Sequence, residues 1–294
     1  MLLISRRAFI IMITAVDVAQ RAARADIDDL SSDAGNRTSS VGAVLAAGVR
    51  DAAVTFPDET NTGVVDKTSL KPSGSITTSR DEQVIRGLDI SGLVQINHNA
   101  VTLENCKITA ASWSVVTVAD GVTGAVVQNC EINGLGSSGN EGSCGISGHG
   151  TFIGNNIYNV ENGFSLAGGS SVIENNYIHN LQASGSPHYD GIQIDGNVSD
   201  VTISHNTIIN DHNQTSAVMI DNGFGPISNI QVDNNRLIGG AYTVYSDGRQ
   251  GSGPISNVSF TNNRMGRGHW GYRAFSRNMP TWKGNVDDVT GRPI

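Results

Sequence analysis

Three aspartates, Asp195, Asp221 and Asp247, recur at equal intervals along the chain. Each ends a short apolar run: GIQID, AVMID and TVYSD. Side chains alternate faces along a β-strand. With Ile192, Ile194, Val218, Ile220, Val244 and Ser246 turned inward, Gln193, Met219, Tyr245 and the three aspartates turn outward. Stacked in register, the carboxylates form a column with about 5 Å between neighbours. Like charges so placed repel, so one pKa rises or a cation sits between them. The first outcome sets a protonated carboxyl beside an ionised one, which suits general acid–base catalysis. The second makes Asp195, Asp221 and Asp247 ligands for calcium. Against both stands a plainer reading, in which loops splay the three apart or each aspartate caps a strand end.

Other reactive side chains crowd the same stretch. The insertion LQASGSPHYDG brings His188, Tyr189 and Asp190 just before the first aspartate. INDHNQTS carries Asp211 and His212, and SDGRQGSG carries Arg249. Tyr242, Tyr245, Trp270 and Tyr272 offer flat apolar faces. His149, alone in a Gly-His-Gly, reads as structural.

What must position these residues is a repeat. VTLENCKI, VVQNCEI, TFIGNNIY, VIENNYI, VTISHNTI, IQVDNNRL and VSFTNNRM share one phrase: an apolar run, two small polar residues, another apolar residue. The second polar residue falls at Cys106, Cys130, Asn156, Asn176, Asn206, Asn235 and Asn263. Their steps lie within the roughly 20–50-residue period that marks a solenoid. Each repeat holds two or three short strands in the same order, predicting an all-β, single-stranded, right-handed parallel β-helix over 84–276. Asparagines at one repeat position can bond up and down a column. Residues 26–83 form an N-terminal segment and cap, with a helix over 41–53. Residues 277–294, with Met279, Pro280 and Trp282, close the other end.

Composition agrees. Among 294 residues are 35 glycines, 5% aromatics and 38% apolar residues, a turn-rich all-β make-up. The net charge of -8 argues against a nucleic-acid partner. Residues 1–25, with Arg6-Arg7, the apolar run 10–16 and Ala23-Arg24-Ala25, look like a twin-arginine export signal. A periplasmic or secreted protein without a membrane span is expected, and a monomer. Three cysteines exclude a full disulfide framework; Cys106 and Cys130 share a repeat position, as two buried thiols or as one bridge.

The strand order and the asparagine column resemble the pectate-lyase-like β-helix superfamily, which holds polysaccharide lyases and hydrolases but also tailspikes and adhesins. Within it, SPHYDGIQI is similar to the SPNTDGI-type motif of polygalacturonase-like glycoside hydrolases. The resemblance makes Asp190 catalytic and Asp211, at the spacing of that family's second motif, its partner. His212 departs from that family's second aspartate, and its later Gly-His-Gly and Arg-x-Lys motifs have no counterpart after residue 212.

The resemblance implies an exported enzyme that cleaves a polysaccharide. In the preferred reading it is a hydrolase that requires no cofactor. Asp190, Asp195, Asp221 and Asp211 are its acid and base candidates, and His188 and His212 tune or relay protons. Gln193, Asp247, Tyr245, Arg249, Tyr242 and Arg273 would bind substrate. The alternative is a calcium-dependent lyase acting on a uronate polymer, with Arg249 or Arg273 as base. Scarce lysine (Lys67, Lys71, Lys107, Lys283) speaks against an anionic substrate; Arg236 and Arg264, stacked at one repeat position, speak for one. A third reading is a non-catalytic glycan-binding or adhesin β-helix.

Overall fold

The computed structural model describes residues 55–136 and 143–294. The export signal over 1–25 and the helical cap expected over 41–53 lie outside these residues. From Lys71 onward the chain visits three parallel sheets in strict rotation. Sheet I runs from Lys71–Ser73 to Val286–Asp287, sheet II from Ile76–Thr77 to Gly271–Ser276, and sheet III from Val84–Arg86 to Thr281–Lys283. Each strand pairs in parallel with its counterparts one coil earlier and later, which is a parallel β-helix. It is longer than expected at both ends. Strands of sheets I and II precede Val84, and two strands follow residue 276 because Trp282 and Asn285 continue the repeat pattern.

The core is built of columns. In sheet I, Ile90, Ile108, Ile132, Ile157, Ile178 and Ile208 stack and are fully buried. In sheet III, Leu103, Val127, Phe152, Ile173, Ile203 and Val232 do the same. Flat ladders of β-branched and leucine side chains bury much apolar area with few rotamers lost. At the C-terminal end Phe260, Phe275 and Trp282 pack ring on ring, and the Arg273 guanidinium lies 4.5 Å from the Trp282 ring.

The two-residue polar phrase has a separate job for each member. The first takes a left-handed backbone: Asn105, Asn129, Asn175, His205, Asn234 and Asn262 all have φ between 49° and 57°. Asparagine tolerates that region better than most residues. The second member turns its side chain inward. Asn155, Asn176, Asn206, Asn235, Asn263 and Asn285 form an unbroken buried ladder, each Nδ2 donating to the next Oδ1 at 2.9–3.0 Å. Each Oδ1 also accepts the backbone N–H of the residue before it in the ladder. The ladder residue in the third phrase is thus Asn155, not Asn156. Gly154, at φ 65°, takes the left-handed position there and shifts the phrase by one. Cys106 and Cys130 continue the ladder position as free buried thiols.

Removing the Asn206 side chain takes the acceptor from the N–H and Nδ2 donors of Asn176 and one of two donors from the Asn235 Oδ1, each unpaired buried donor costing about 1–3 kcal/mol. Asn206→Ala should therefore lower stability by roughly 3 kcal/mol, read as a lower thermal midpoint with an unchanged β-rich circular dichroism spectrum at 20 °C.

Candidate functional site

Sheet II carries the candidate residues, and its strands have two chemically different ends. Asp190 begins the strand Asp190–Ile194 and Asp195 follows its last residue. An added Cβ on Gly191 would strike Ile208 of sheet I, so residue 191 points inward beside Ile192. The alternation breaks there, leaving Asp190 on the outer face with Gln193 and Asp195.

At the leading end, Asp190 is 1% exposed. Its Oδ1 accepts the Ser216 N–H (3.1 Å) and hydroxyl (3.0 Å). Burial drives its pKa well up, with Asp195 and Asp221 adding repulsion. Register places Ser216, not Asp211, beside Asp190. Asp211 is exposed in the turn between sheets I and II, because that turn spans 211–215 before the next strand starts. The aspartate pair implied by the polygalacturonase-like motif is therefore not assembled. His212 donates through Nε2 to the Leu181 carbonyl (2.7 Å) and stacks on Tyr189 at 3.6 Å. His188 is exposed, its backbone N–H held by Glu161. Asp211, His212 and His188 belong to the turns at this end and do not join the aspartate column.

At the trailing end the column forms as the spacing predicts. The Asp221 N–H bonds the Ile194 carbonyl (2.8 Å), and Asp221 and Asp247 pair as a parallel bridge. The three carboxyls meet different fates. Asp247 is 7% exposed, gripped by the Arg249 guanidinium through Nε (2.8 and 3.0 Å) and Nη2 (2.6 Å), which lowers its pKa. The Oδ1 of Asp221 accepts the Gly223 N–H at 2.8 Å. Asp195 receives no such donor at its buried Oδ1. Burial first, then the Asp221 charge and the Asp221 carboxyl contact, raise Asp195 to about 7, against a partial lowering by Gln193. A proton on Asp195 resolves the orphaned oxygen and the repulsion together, since it turns a carboxylate–carboxylate clash into a hydrogen bond.

Gln193 is fixed for its task. Its Oε1 accepts from Asn162 Nδ2 at 2.7 Å, leaving the amide NH₂ to face Asp195. Tyr245 meets Tyr242 edge-on at 5.6 Å on the same outer face. Arg273 is not on it: it registers with the inward Val244 and covers the end of the core. Arg236 and Arg264 do stack, but both are engaged by Asp288 (3.0 and 3.3 Å). Among the described residues no group of three His, Cys, Asp or Glu side chains is arranged to hold a metal ion. The three-aspartate set does not converge because Arg249 holds Asp247.

Asp195 opens into a cleft of about 690 Å³ that extends toward earlier coils, past Ala167 and His149 to Asp120. Phe224, 76% exposed, stands at its other wall, where the longer turn 221–226 folds over Gly196. Sequence reasoning passes over this cleft. Yet register puts His149 in the aspartate column two coils before Asp195, a position found by counting one residue beyond each sheet II strand. Its ring is structural: Nε2 lies 2.7 Å from the Val122 carbonyl and Nδ1 3.1 Å from that of Ala167. It ties the turns that floor the cleft.

The family described as right handed beta helix region matches residues 91–269, more than half of the chain. No curated protein and no solved structure matches the chain. No helix among the described residues is long and apolar enough to cross a membrane.

The raised pKa sets a sign for stability. Asp195 ionises near pH 7 when folded but near 3.8 when unfolded, so stability falls as pH rises between these values and stays reduced above. Asp195→Asn should raise stability at pH 8 by ~1–2 kcal/mol, a fraction of the full linkage because the side chain is partly solvated. The gain should vanish at pH 4, as thermal melts at the two pH values will show.

Proposed function

The chain belongs to the right-handed β-helix family, and from that premise we propose that it is a carbohydrate-active enzyme that hydrolyses glycosidic bonds. The observation that carries this reading is Asp195: an orphaned carboxyl oxygen, a pKa near neutrality and an ionisable partner, all at the mouth of an open cleft. Scaffold β-helices have no use for a like-charge pair left uncompensated at a cleft, since it costs stability.

In this reading protonated Asp195 is the general acid that donates to the leaving glycosidic oxygen. Asp221 is the second carboxylate. Carboxyls in contact on adjacent strands leave no room for a water between them, which favours a retaining over an inverting course, so Asp221 attacks the anomeric carbon. Asp195 then returns as base to activate water for the second step. Gln193, held by Asn162, orients the acid. Asp190 is a structural acid that fixes Ser216 and the strand start. Consistent with such a role, the N-terminal segment with its paired arginines directs export, and the substrate is met outside the cytoplasm.

The elimination reading draws less support. Arg249 is engaged by Asp247 and Arg273 covers the core, so neither stands free as a base.

Asp195→Asn and Asp221→Asn should each lower kcat at least about 100-fold with folding intact, measured as reducing ends released from a polysaccharide panel. Full activity in both variants would sink the proposal. Activity of the native chain should fall above pH about 7, as Asp195 loses its proton. Absorbance near 235 nm, the sign of an unsaturated product, should not appear. NMR of fresh product should show the anomeric configuration retained.

A further inference from the structure

The cleft beside Asp195 also speaks to the charge of what it takes. It crosses five successive coils, marked by Asp120, His149, Ala167, Asp195 and Phe224. Four coil spacings amount to about 19 Å, the reach of a short run of sugar rings and too long for a single ring. Its charged lining is one-sided: Asp120 and Asp195 are present, and no lysine or arginine is among the lining residues. The cations elsewhere that would favour an anionic substrate are committed, Arg249 to Asp247 and Arg236 and Arg264 to Asp288.

We infer that the cleft binds an uncharged glycan, lying along the solenoid axis with its scissile bond at Asp195. The inference rests on the reading of this cleft as a glycan site. A uronate or sulfated chain would bring a negative charge on most rings into a groove that carries Asp120, and Asp195 once it ionises, and offers no lysine or arginine to pair with it. Each unit-charge contact at 4 Å repels by about 4 kcal/mol at an effective dielectric of 20. An uncharged chain meets complementary surfaces instead. Thr123, Ser165 and Asn197 supply hydroxyl and amide groups along the lining. Gly121, Gly168, Gly169 and Gly196 leave the floor low, so that sugar rings can approach the backbone. At Gly168 and Gly169 a Cβ would stand 2.9 Å from the His149 ring, so the low floor is imposed by packing. Phe224 presents an exposed ring of the kind that stacks on the apolar face of a sugar.

The test separates binding from turnover. The Asp195→Asn chain is titrated calorimetrically with three sets of oligosaccharides. The uncharged set is derived from xylan, mannan, β-glucan and arabinan, the acidic set from polygalacturonate and alginate, and the cationic set from chitosan. At least one uncharged oligomer should bind, with affinity unchanged between 50 and 500 mM NaCl. Phe224→Ala, introduced in the same background, should weaken that binding at least tenfold without moving the thermal midpoint. Tighter binding of an acidic or cationic oligomer overturns the inference, as does failure of every uncharged oligomer. The enzymatic reading fails separately: an uncharged oligomer that binds the native chain and is never cleaved leaves this inference standing and removes that one. Cleavage of an acidic polymer does the reverse.

Discussion

Every buried amide in the asparagine ladder depends on the coil above and the coil below. An asparagine side chain carries two N–H donors and an oxygen that can accept from two donors. Here Nδ2 donates to the next Oδ1 and to a carbonyl of an earlier coil, while Oδ1 receives both the N–H and the Nδ2 of the preceding rung. A coil displaced by one residue would bury several unpaired polar groups at about 1–3 kcal/mol each. The apolar columns alone would resist such a slip, because it turns their side chains outward; the ladder adds a penalty at the corner between sheets III and I. Register is therefore held at every coil, and whatever stands at one repeat position must stand in line.

That constraint turns an even spacing along the chain into a column of carboxyls, and the molecule relieves the resulting repulsion differently at each level. At Asp247 an arginine close by in the same turn closes over the charge. At Asp221 the following turn offers a backbone N–H. At Asp195 no cation and no donor reaches the buried oxygen, and protonation takes their place. The same column position holds His149 and Ala167 in earlier coils, where no carboxyl stands. The candidate chemistry is thus confined to the coil where compensation stops.

Turn length decides what that coil faces. Between sheets II and III the coils of His149, Ala167 and Asp195 turn tightly through 149–150, 167–170 and 195–197, each with glycine, whereas the turn 119–125 before them and the turns with DNGFGP and DGRQGSGP after them are longer. The long turns rise as a wall that ends in Phe224, and the short ones leave a floor in front of it. His149 holds this floor from beneath by bonding carbonyls of the coils on both sides. The cleft, its wall and its acid all arise where tight turns give way to long ones.

The sequence by itself determined the solenoid, its repeating strands and the outward aspartate column. All three are periodic, and a period survives in one dimension: the apolar alternation of GIQID and AVMID and the recurring polar pair are visible without coordinates. It also misled in instructive ways. Motif spacing pairs Asp190 with Asp211, but the turn before Ser216 puts Asp211 in solvent and a serine beside Asp190. Counting polar pairs selects Asn156, but a glycine in the left-handed position moves the rung to Asn155. Only the tertiary structure decided which aspartate keeps an unbonded buried oxygen, that Arg249, Arg236 and Arg264 are already engaged, and that a cleft without lysine or arginine opens toward the earlier coils. Those facts depend on side-chain reach and turn shape between neighbouring coils. Neither has a period, so neither could be read from the spacing of residues along the chain.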